Sequence, residues 1–222
     1  MKLNVLYEDN HLIVVEKPAG MLVQADKTGD LSLMDEVKKY LKEKYKKPGN
    51  VFLGLVHRLD RPVGGVVLFA KTSKGASRLS AQFRERAVEK YYYAVVIGKM
   101  KEPSGEIVSF LKKDEKRNVV EVFSRETPGA KRAELFWEVV KSGAKNTLLK
   151  IKLGTGRGHQ IRAQLASVGH PILGDLKYGA PEPLVDKSIA LFSASLSFAA
   201  ATGGKSETVE LPWPKEWEKY LN

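Results

Sequence analysis

The chain has no cysteine among its 222 residues. Disulfides and cysteine-ligated zinc or iron–sulfur centres are therefore excluded. No apolar run approaches the ~18 residues of a membrane span. The early run "LIVV" (12–15) is far too short for the apolar region of a signal peptide. Low-complexity tracts, Gly/Ser or Pro linkers and repeats with a period of about 20–50 residues are all missing. The four histidines are scattered without H-x-x-x-H spacing, so no metal site is expected. A G-x-S-x-G elbow is absent. "GGKSET" (203–208) resembles the end of a P-loop, but the first glycine of that motif would fall on Ala199. These absences lead us to expect a cytoplasmic protein with no membrane contact and no metal.

What is abundant is positive charge. The formal net charge is +11 and the pI is near 9.6. Such a balance points to a polyanionic partner, because a basic face attracts phosphates and releases their counterions. Solubility is the plainer use of a basic surface. The distribution favours the partner. Residues 51–100 hold nine Lys/Arg against three Asp/Glu, whereas residues 1–50 hold nine against eight and 151–222 hold eight against seven.

The periodicities predict an α+β protein rich in short antiparallel strands. "NVLYEDNHLIVVEKP" reads as a hairpin around Asp9 and Asn10. "SLMDEVKKYLKEKY" reads as a helix capped by Ser32, with Leu33, Val37, Tyr40 and Leu41 on one face. "VVLFA" (66–70) is a buried strand, and a helix capped by Thr72 or Ser73 follows it. "KYYYAVVIG" alternates like a strand, and four strand-like runs fill 106–153. "HQIRAQLASVG" predicts a short helix with Ile161, Leu165 and Val168 on its buried face and Gly169 at its C-terminus. Two closing strands and a C-terminal helical turn complete the chain. No break is strong enough to separate two independent domains, so residues 1–222 are expected to form a single domain.

Three stretches concentrate chemistry. In "LVHRLDRPVGGVVLFAKT" (55–72), Asp60 lies between Arg58 and Arg61, before a proline and a Gly–Gly pair. A turn aspartate bonding its own backbone is one reading. The surrounding His57, Arg58 and Arg61 favour another, an ionised carboxylate in a basic setting that acts as nucleophile or base. In "LGTGRGHQIRAQL" (153–165), three glycines lead into a helix from which Arg157, His159 and Arg162 project. This is either a phosphate-binding approach or a turn with solvated arginines. Arg162 is placed to reach a buried carboxylate such as Asp60. In "VEKYYYAVV", the tyrosines are packing residues of a strand, one face of which presents Lys90 and Tyr92 together.

Taken in order, "HRLDRPVGGVVLFAKT", "KYYYAVV" and "GTGRGHQIRAQLASVGHPILGDLKYG" closely resemble the RluA family of RNA pseudouridine synthases. The opening "VLYEDNHLIVVEKPAGMLV" resembles that family's first strands, so the likeness covers nearly the whole chain. It implies a mixed, mostly antiparallel central sheet with flanking helices and a catalytic cleft. It also implies isomerisation of uridine to pseudouridine in RNA, without cofactor or metal. Asp60 matches the catalytic aspartate, Tyr92 the active-site tyrosine and Arg162 the basic residue that pairs with the aspartate. Leu173, in "GHPILGD", matches the apolar contact of the uracil pocket.

Two departures touch loop shape. Val63, Gly64 and Gly65 stand where relatives often read Thr-Ser-Gly, and Gly158 stands where they often carry Thr or Pro. The family pattern starts at residue 3, so the S4 module of many relatives is expected to be absent.

A stacked base is out of reach, so the target must be flipped out of the RNA. Arg58 is expected to stack where the base had been. Lys90, Arg61, Arg84, Arg86 and Arg157 are candidates for backbone phosphates, and His57, His159 and Gln160 complete the expected RNA-facing set. The partner is then rRNA or tRNA, with no obligatory protein partner, and a monomer suffices. Two other classes compete. A catalytically silent RNA-binding protein on this fold would have lost Asp60, Tyr92 or Arg162, and all three are present. A glycosidase would commonly need a second carboxylate beside Asp60, and none is near in sequence.

Overall fold

The structure is a computed structural model and describes residues 3–200 and 206–222. The elements run β1 (Val5–Glu8), β2 (Leu12–Lys17), α1 (Leu33–Lys44), β3 (Gly54–Leu55), β4 (Gly64–Ala70), α2 (Ser73–Arg84), β5 (Glu89–Ile97), β6 (Ser104–Asp114), β7 (Val119–Phe123), β8 (Lys131–Ser142), β9 (Asn146–Leu153), α3 (Gln160–Ser167), β10 (Leu191–Ala199) and β11 (Ser206–Glu210). Short 3₁₀ turns cover Leu176–Tyr178 and Lys215–Tyr220. The α+β class follows, with strands outnumbering helices and mostly antiparallel pairing. Of the P-loop-like stretch, residues 203–205 lie outside the described residues.

The chain forms two compact units. The first comprises the chain up to Glu89 together with Ser193–Leu211, and the second comprises Lys90–Phe192 and Pro212–Asn222.

In the first unit the strand order is β1-β2-β4-β10, with β3 on β4 and β11 on β10. The predicted hairpin forms because Asp9 Oδ1 accepts the N–H groups of His11 and Leu12, both at 2.6 Å, and so turns the chain. β2 and β4 pair antiparallel from Leu12↔Ala70 to Lys17↔Gly65. Apolar residues on both faces of β4 leave no polar side, and all seven of its residues are buried. One core cluster joins Leu12 and Val14 of β2 to Val66, Leu68 and Ala70 of β4, Leu79 of α2, and Leu196 and Phe198 of β10. The helix caps are those the sequence offers. Ser32 and Asp35 form a capping box on α1, and the Thr72 side chain accepts the Gly75 N–H on α2.

Glu8 fastens α1 to this sheet. Its carboxylate accepts from Lys44 and Lys71 Nζ, each at 2.7 Å, and from the hydroxyls of Tyr45 (2.7 Å) and Tyr40 (3.1 Å). Burial pushes the carboxyl up, but the bonds from Lys44, Lys71 and Tyr45 outweigh it and bring the pKa from 4.5 down to about 2. A carboxyl lowered in the folded state contributes stability above its unfolded pKa and loses it as pH falls through the folded one. Wild type is therefore expected to exceed Glu8→Gln in stability by up to about 3 kcal/mol at pH 6. That advantage shrinks from pH 4.5 downwards and is lost by about pH 2. Urea denaturation of both proteins across this range checks it.

In the second unit the order is β5-β9-β8-β6-β7, and each successive pair is antiparallel. α3 packs on β6 and β7. It differs from the expected one-sided helix. Gln160, Arg162 and Gln164 are buried along with Ile161, Ala163 and Leu165, whereas Val168 is exposed. The helix is short and enclosed, so its polar side chains are held by internal bonds. Gln164 Nε2, for example, donates to Ser109 Oγ at 2.9 Å. Val168 escapes because α3 ends there in a Schellman motif: Gly169, at φ +86, donates to Ala166 O, and His170 N–H reaches Leu165 O.

Candidate active site

In the first unit, Asp60 sits in a tight turn in which the Val63 N–H donates to Asp60 O at 3.0 Å. Arg61 and Pro62 are the central residues of that turn. Asp60 is half-buried, Leu59 is buried and Arg58 is exposed. His57 anchors the approach to the turn. Its Nε2 accepts the Leu68 N–H of β4 at 2.9 Å, and its ring stacks on Phe83 of α2 with centroids 5.0 Å apart.

Arg61 is tied to the loop after β2. Its Nε donates to Gly20 O at 3.0 Å, its Nη2 pairs with Asp30 at 2.7 Å, and its carbonyl accepts the Gly20 N–H at 2.8 Å.

Beneath this loop lies a residue that sequence reasoning missed. Lys17 is fully buried at the end of β2. Its ammonium donates to Met21 O (2.6 Å), Pro18 O (3.0 Å) and Arg61 O (3.1 Å), which uses all three of its hydrogens. Burial lowers its pKa from 10.5 to about 7, while the Asp60 carboxylate favours the charged form and Arg61 opposes it. Lys17 thus binds the 18–21 loop to the Asp60 turn and places a buried cation within the field of Asp60. The signal available in the sequence was a lysine ending an apolar strand just before Pro18.

In the second unit, Tyr92 lies on β5 opposite Ile151 of β9 and is almost buried, at 8% exposure. Its neighbour Tyr91 takes the other face of the strand, where the ammonium groups of Lys150 and Lys152 sit 5.2 and 5.5 Å from its ring centroid. Lys90 Nζ packs over Gly156, 3.0 Å from where a Cβ would stand, so strand and glycine-rich loop are in contact.

Gln160 holds that loop in shape. Its Oε1 accepts from Thr155 Oγ1 (2.7 Å) and the Arg157 N–H (3.0 Å), and its Nε2 donates to Glu134 O at 2.9 Å. Arg157 is half-buried, with Nε donating to Arg132 O at 3.3 Å. Leu173 is bound to β5 by its N–H on Val95 O at 2.9 Å, three residues along the strand from Tyr92.

Arg162 has a buried carboxylate partner, as its place on α3 suggests, and the structure supplies one at Asp175. Nε donates to Oδ2 at 2.7 Å and Nη2 to Oδ1 at 2.8 Å, with side-chain exposures of 6% and 1%. The guanidinium also lies 5.1 Å from the ring centroid of Tyr178. The Tyr178 hydroxyl accepts the Val120 N–H at 2.8 Å and shares a proton with His159 Nδ1 at 2.7 Å. His159 takes the left-handed conformation, φ +52, at the start of α3. Asp175 and Tyr178 were not singled out from sequence, although both lie in "GDLKYG" (174–179).

Comparison with known proteins decides what this set of residues belongs to. The sequence profile of the RNA pseudouridylate synthase family matches residues 11–167. That span contains the Asp60 turn, Tyr92 and the whole of α3. The chain belongs to the RNA pseudouridine synthase family.

Within the family, it is 35% identical over 175 residues to ribosomal large subunit pseudouridine synthase C of Vibrio vulnificus, covering 79% of this chain and 52% of that protein. The chain thus spans about half the length of that relative. Against ribosomal large subunit pseudouridine synthase C of Buchnera aphidicola from Acyrthosiphon pisum, identity is 31% over 225 residues, covering 98% of this chain and 69% of the other. The recognition of an RluA-type synthase is borne out. The fold is shared with human RNA pseudouridylate synthase domain containing 4, at a TM-score of 0.81 and 24% identity over 98% of this chain and 91% of that one. Among the described residues no group of three or more His, Asp or Glu side chains is arranged to hold a metal, and no helix is long and apolar enough to cross a membrane.

Proposed function

We propose that this synthase isomerises uridine to pseudouridine in structured RNA, with Asp60 as the catalytic aspartate. The match of the family profile across the Asp60 turn carries the reading. His57, Arg61 and a fully buried Lys17 all fix the turn. Asp60 acts at the ribose of the flipped uridine, by attack on C1′ or by removal of the C2′ proton. Either route breaks the N1–C1′ bond. The freed uracil turns and C5 bonds to C1′, as the Asp60 ester is displaced in the first route or the C2′ proton is returned in the second; C5 then loses its proton and N1 gains one. Atoms balance with no oxidant, reductant or metal.

Tyr92 and Arg162 take the roles the family pattern implies, contact with the base and support of the carboxylate. The side chain of Leu173 contacts the uracil. Arg58, exposed next to the turn, stacks in the vacated space, and Lys90, Arg61 and Arg157 meet phosphates. His57, His159 and Gln160 serve RNA binding by shaping the loops that carry these arginines. The relatives' names favour large-subunit rRNA over tRNA as substrate. We take the chain to act as a single catalytic domain, as a monomer and in the cytoplasm.

Tritium release from C5-labelled uridine tests the reading, with bulk rRNA and bulk tRNA assayed in parallel. Release from rRNA is the expected result. Release from tRNA alone would reassign the substrate. Tight RNA binding with no release from either pool would overturn the catalytic reading and leave a silent RNA-binding protein.

A further inference from the structure

We propose that the end of the first unit's sheet remote from Asp60 is a second RNA-contact surface. Lys46 and Lys47 after α1, with Lys74 at the start of α2, form it and take backbone phosphates of the substrate RNA far from the target uridine. The inference rests on the reading of RNA as substrate.

Three elements meet at this end. β2 and β4 run antiparallel from Lys17↔Gly65, beside the Asp60 turn, to Leu12↔Ala70. The length of β4 therefore sets the two ends about 20 Å apart. At the far end the Lys71 N–H donates to His11 O at 2.6 Å, and a Cβ on Gly75 would stand 2.9 Å from the same carbonyl oxygen, so α2 starts against the β1–β2 turn. Glu8 ties the C-terminal end of α1 to the same place through Lys44, Tyr40 and Tyr45.

The charge there is one-sided. Residues 38–47 hold six lysines against Glu43 alone. The near balance of residues 1–50 conceals this, because acids such as Asp9 and Asp35 are engaged in turning the hairpin and capping α1. The Glu8 carboxylate, at 8% side-chain exposure, lies beneath Lys44 and Lys71 and shows little negative charge to solvent. The ammonium groups of Lys71, Lys44 and Lys47 stand 4.7, 5.6 and 5.9 Å from the ring centroid of the exposed Tyr45. Lys46, Lys47 and Lys74 are exposed and lie outside the ion pairs of Glu8.

Stability does not account for these lysines. Lys42 and Lys44, in the last turn of α1, suit the negative pole of the helix. Lys46 follows in the left-handed conformation, φ +49, which glycine adopts at less cost. Lys74 is the second residue of α2, whose first turn has no acid, so its cation meets the positive pole. A phosphate at this surface favours both positions, pairing with the ammonium groups and facing the α2 N-terminus. At about 20 Å from the Asp60 turn, the contact is beyond the reach of free uridine, so it selects an RNA that extends well past the target.

The test compares Lys46→Gln/Lys47→Gln/Lys74→Gln with wild type and with Lys99→Gln/Lys101→Gln/Lys145→Gln, which removes the same charge from exposed lysines of the second unit. Filter binding of bulk rRNA over a salt series reads affinity, and single-turnover tritium release at saturating RNA reads chemistry. The first triple variant is expected to bind about tenfold or more weakly at about 0.15 M salt, with the slope of log affinity against log salt shallower by about 2 to 3. Its release rate at saturation stays within about twofold of wild type, and its unfolding midpoint is no lower. Lys46→Arg/Lys47→Arg/Lys74→Arg is expected to keep wild-type affinity, because phosphate charge is what the surface meets. The second-unit variant is expected to lose no more than about threefold. Equal weakening by the two glutamine variants would reduce the effect to net charge and overturn the site. Wild-type affinity and slope in the first variant would overturn RNA as its occupant. Absence of release by wild type would instead overturn the isomerase reading, and the binding comparison would still decide the surface.

Discussion

Asp60→Ala is expected to lower pseudouridine formation by at least about 10³-fold while RNA binding stays level or tightens. The loss is chemical, since no other group in the turn can form a bond to ribose carbon or take the C2′ proton. Structural collapse is not the expected cause. The turn is closed by the backbone bond from Val63 N–H to Asp60 O, and Lys17, His57 and Arg61 brace it by contacts that do not use the Asp60 carboxylate. Binding should not fall, because the deleted group is anionic and sits beside Arg58 and Arg61, which we propose meet the RNA. Loss of the carboxylate also removes the group that favours the charged form of Lys17, so the lysine pKa moves further down from about 7. Asp60→Asn separates the two effects, as it keeps the size of the side chain and loses only its charge and basicity. Single-turnover tritium release paired with filter binding over a salt series reads both quantities. A parallel fall in rate and affinity would mean that Asp60 holds RNA and does not perform the chemistry.

Local order was legible wherever a residue type has one strong local use. Ser32 and Thr72 precede their helices as capping residues, Asp9 turns the first hairpin, and the apolar run of β4 is buried on both faces. The alternation of β5 correctly puts Tyr92 inside and Tyr91 on the opposite face. What was not legible is the left-handed residue that closes two of the helices. α1 and α2 finish with Lys46 at φ +49 and Arg86 at φ +59, in the same bonding pattern as the glycine-ended α3. Local sequence normally signals such an end with glycine, and here lysine and arginine adopt it.

The charged residues at the site were harder still. A pattern reading treats Lys17 as the solvated end of a strand and Asp175 as a turn residue, because burial of a charge depends on partners distant in sequence. Arg61 O lies 44 residues from Lys17, and Arg162 lies 13 from Asp175. The division into two units left no mark either. The first unit is completed by Ser193–Leu211, so the chain leaves it and returns, and no single linker separates the two.

The second large effect is expected at Gly65, where alanine should cost at least about 3 kcal/mol and lower the unfolding midpoint by about 10 °C. Two independent obstacles act there. Gly65 has φ +116, a conformation that L side chains rarely adopt. A Cβ at this position would also lie 2.2 Å from Ser193 O, 2.6 Å from its N and 2.8 Å from its C. All three are backbone atoms of β10, so no rotamer change can clear them, and β4 must part from β10. The damage should extend to function, because Gly65 is the cross-strand partner of Lys17 and lies five residues from Asp60. A shift of β4 moves the carbonyl cage of Lys17 and the turn that it braces. Gly158→Ala is the control. Gly158 has an ordinary φ and nothing within 4 Å of the added carbon, so its substitution should change stability by no more than about 0.5 kcal/mol. Chemical denaturation of the two variants beside wild type decides the matter. A Gly65→Ala protein as stable as wild type would mean that β4 and β10 can separate at no cost, contrary to the tight backbone approach seen at Ser193.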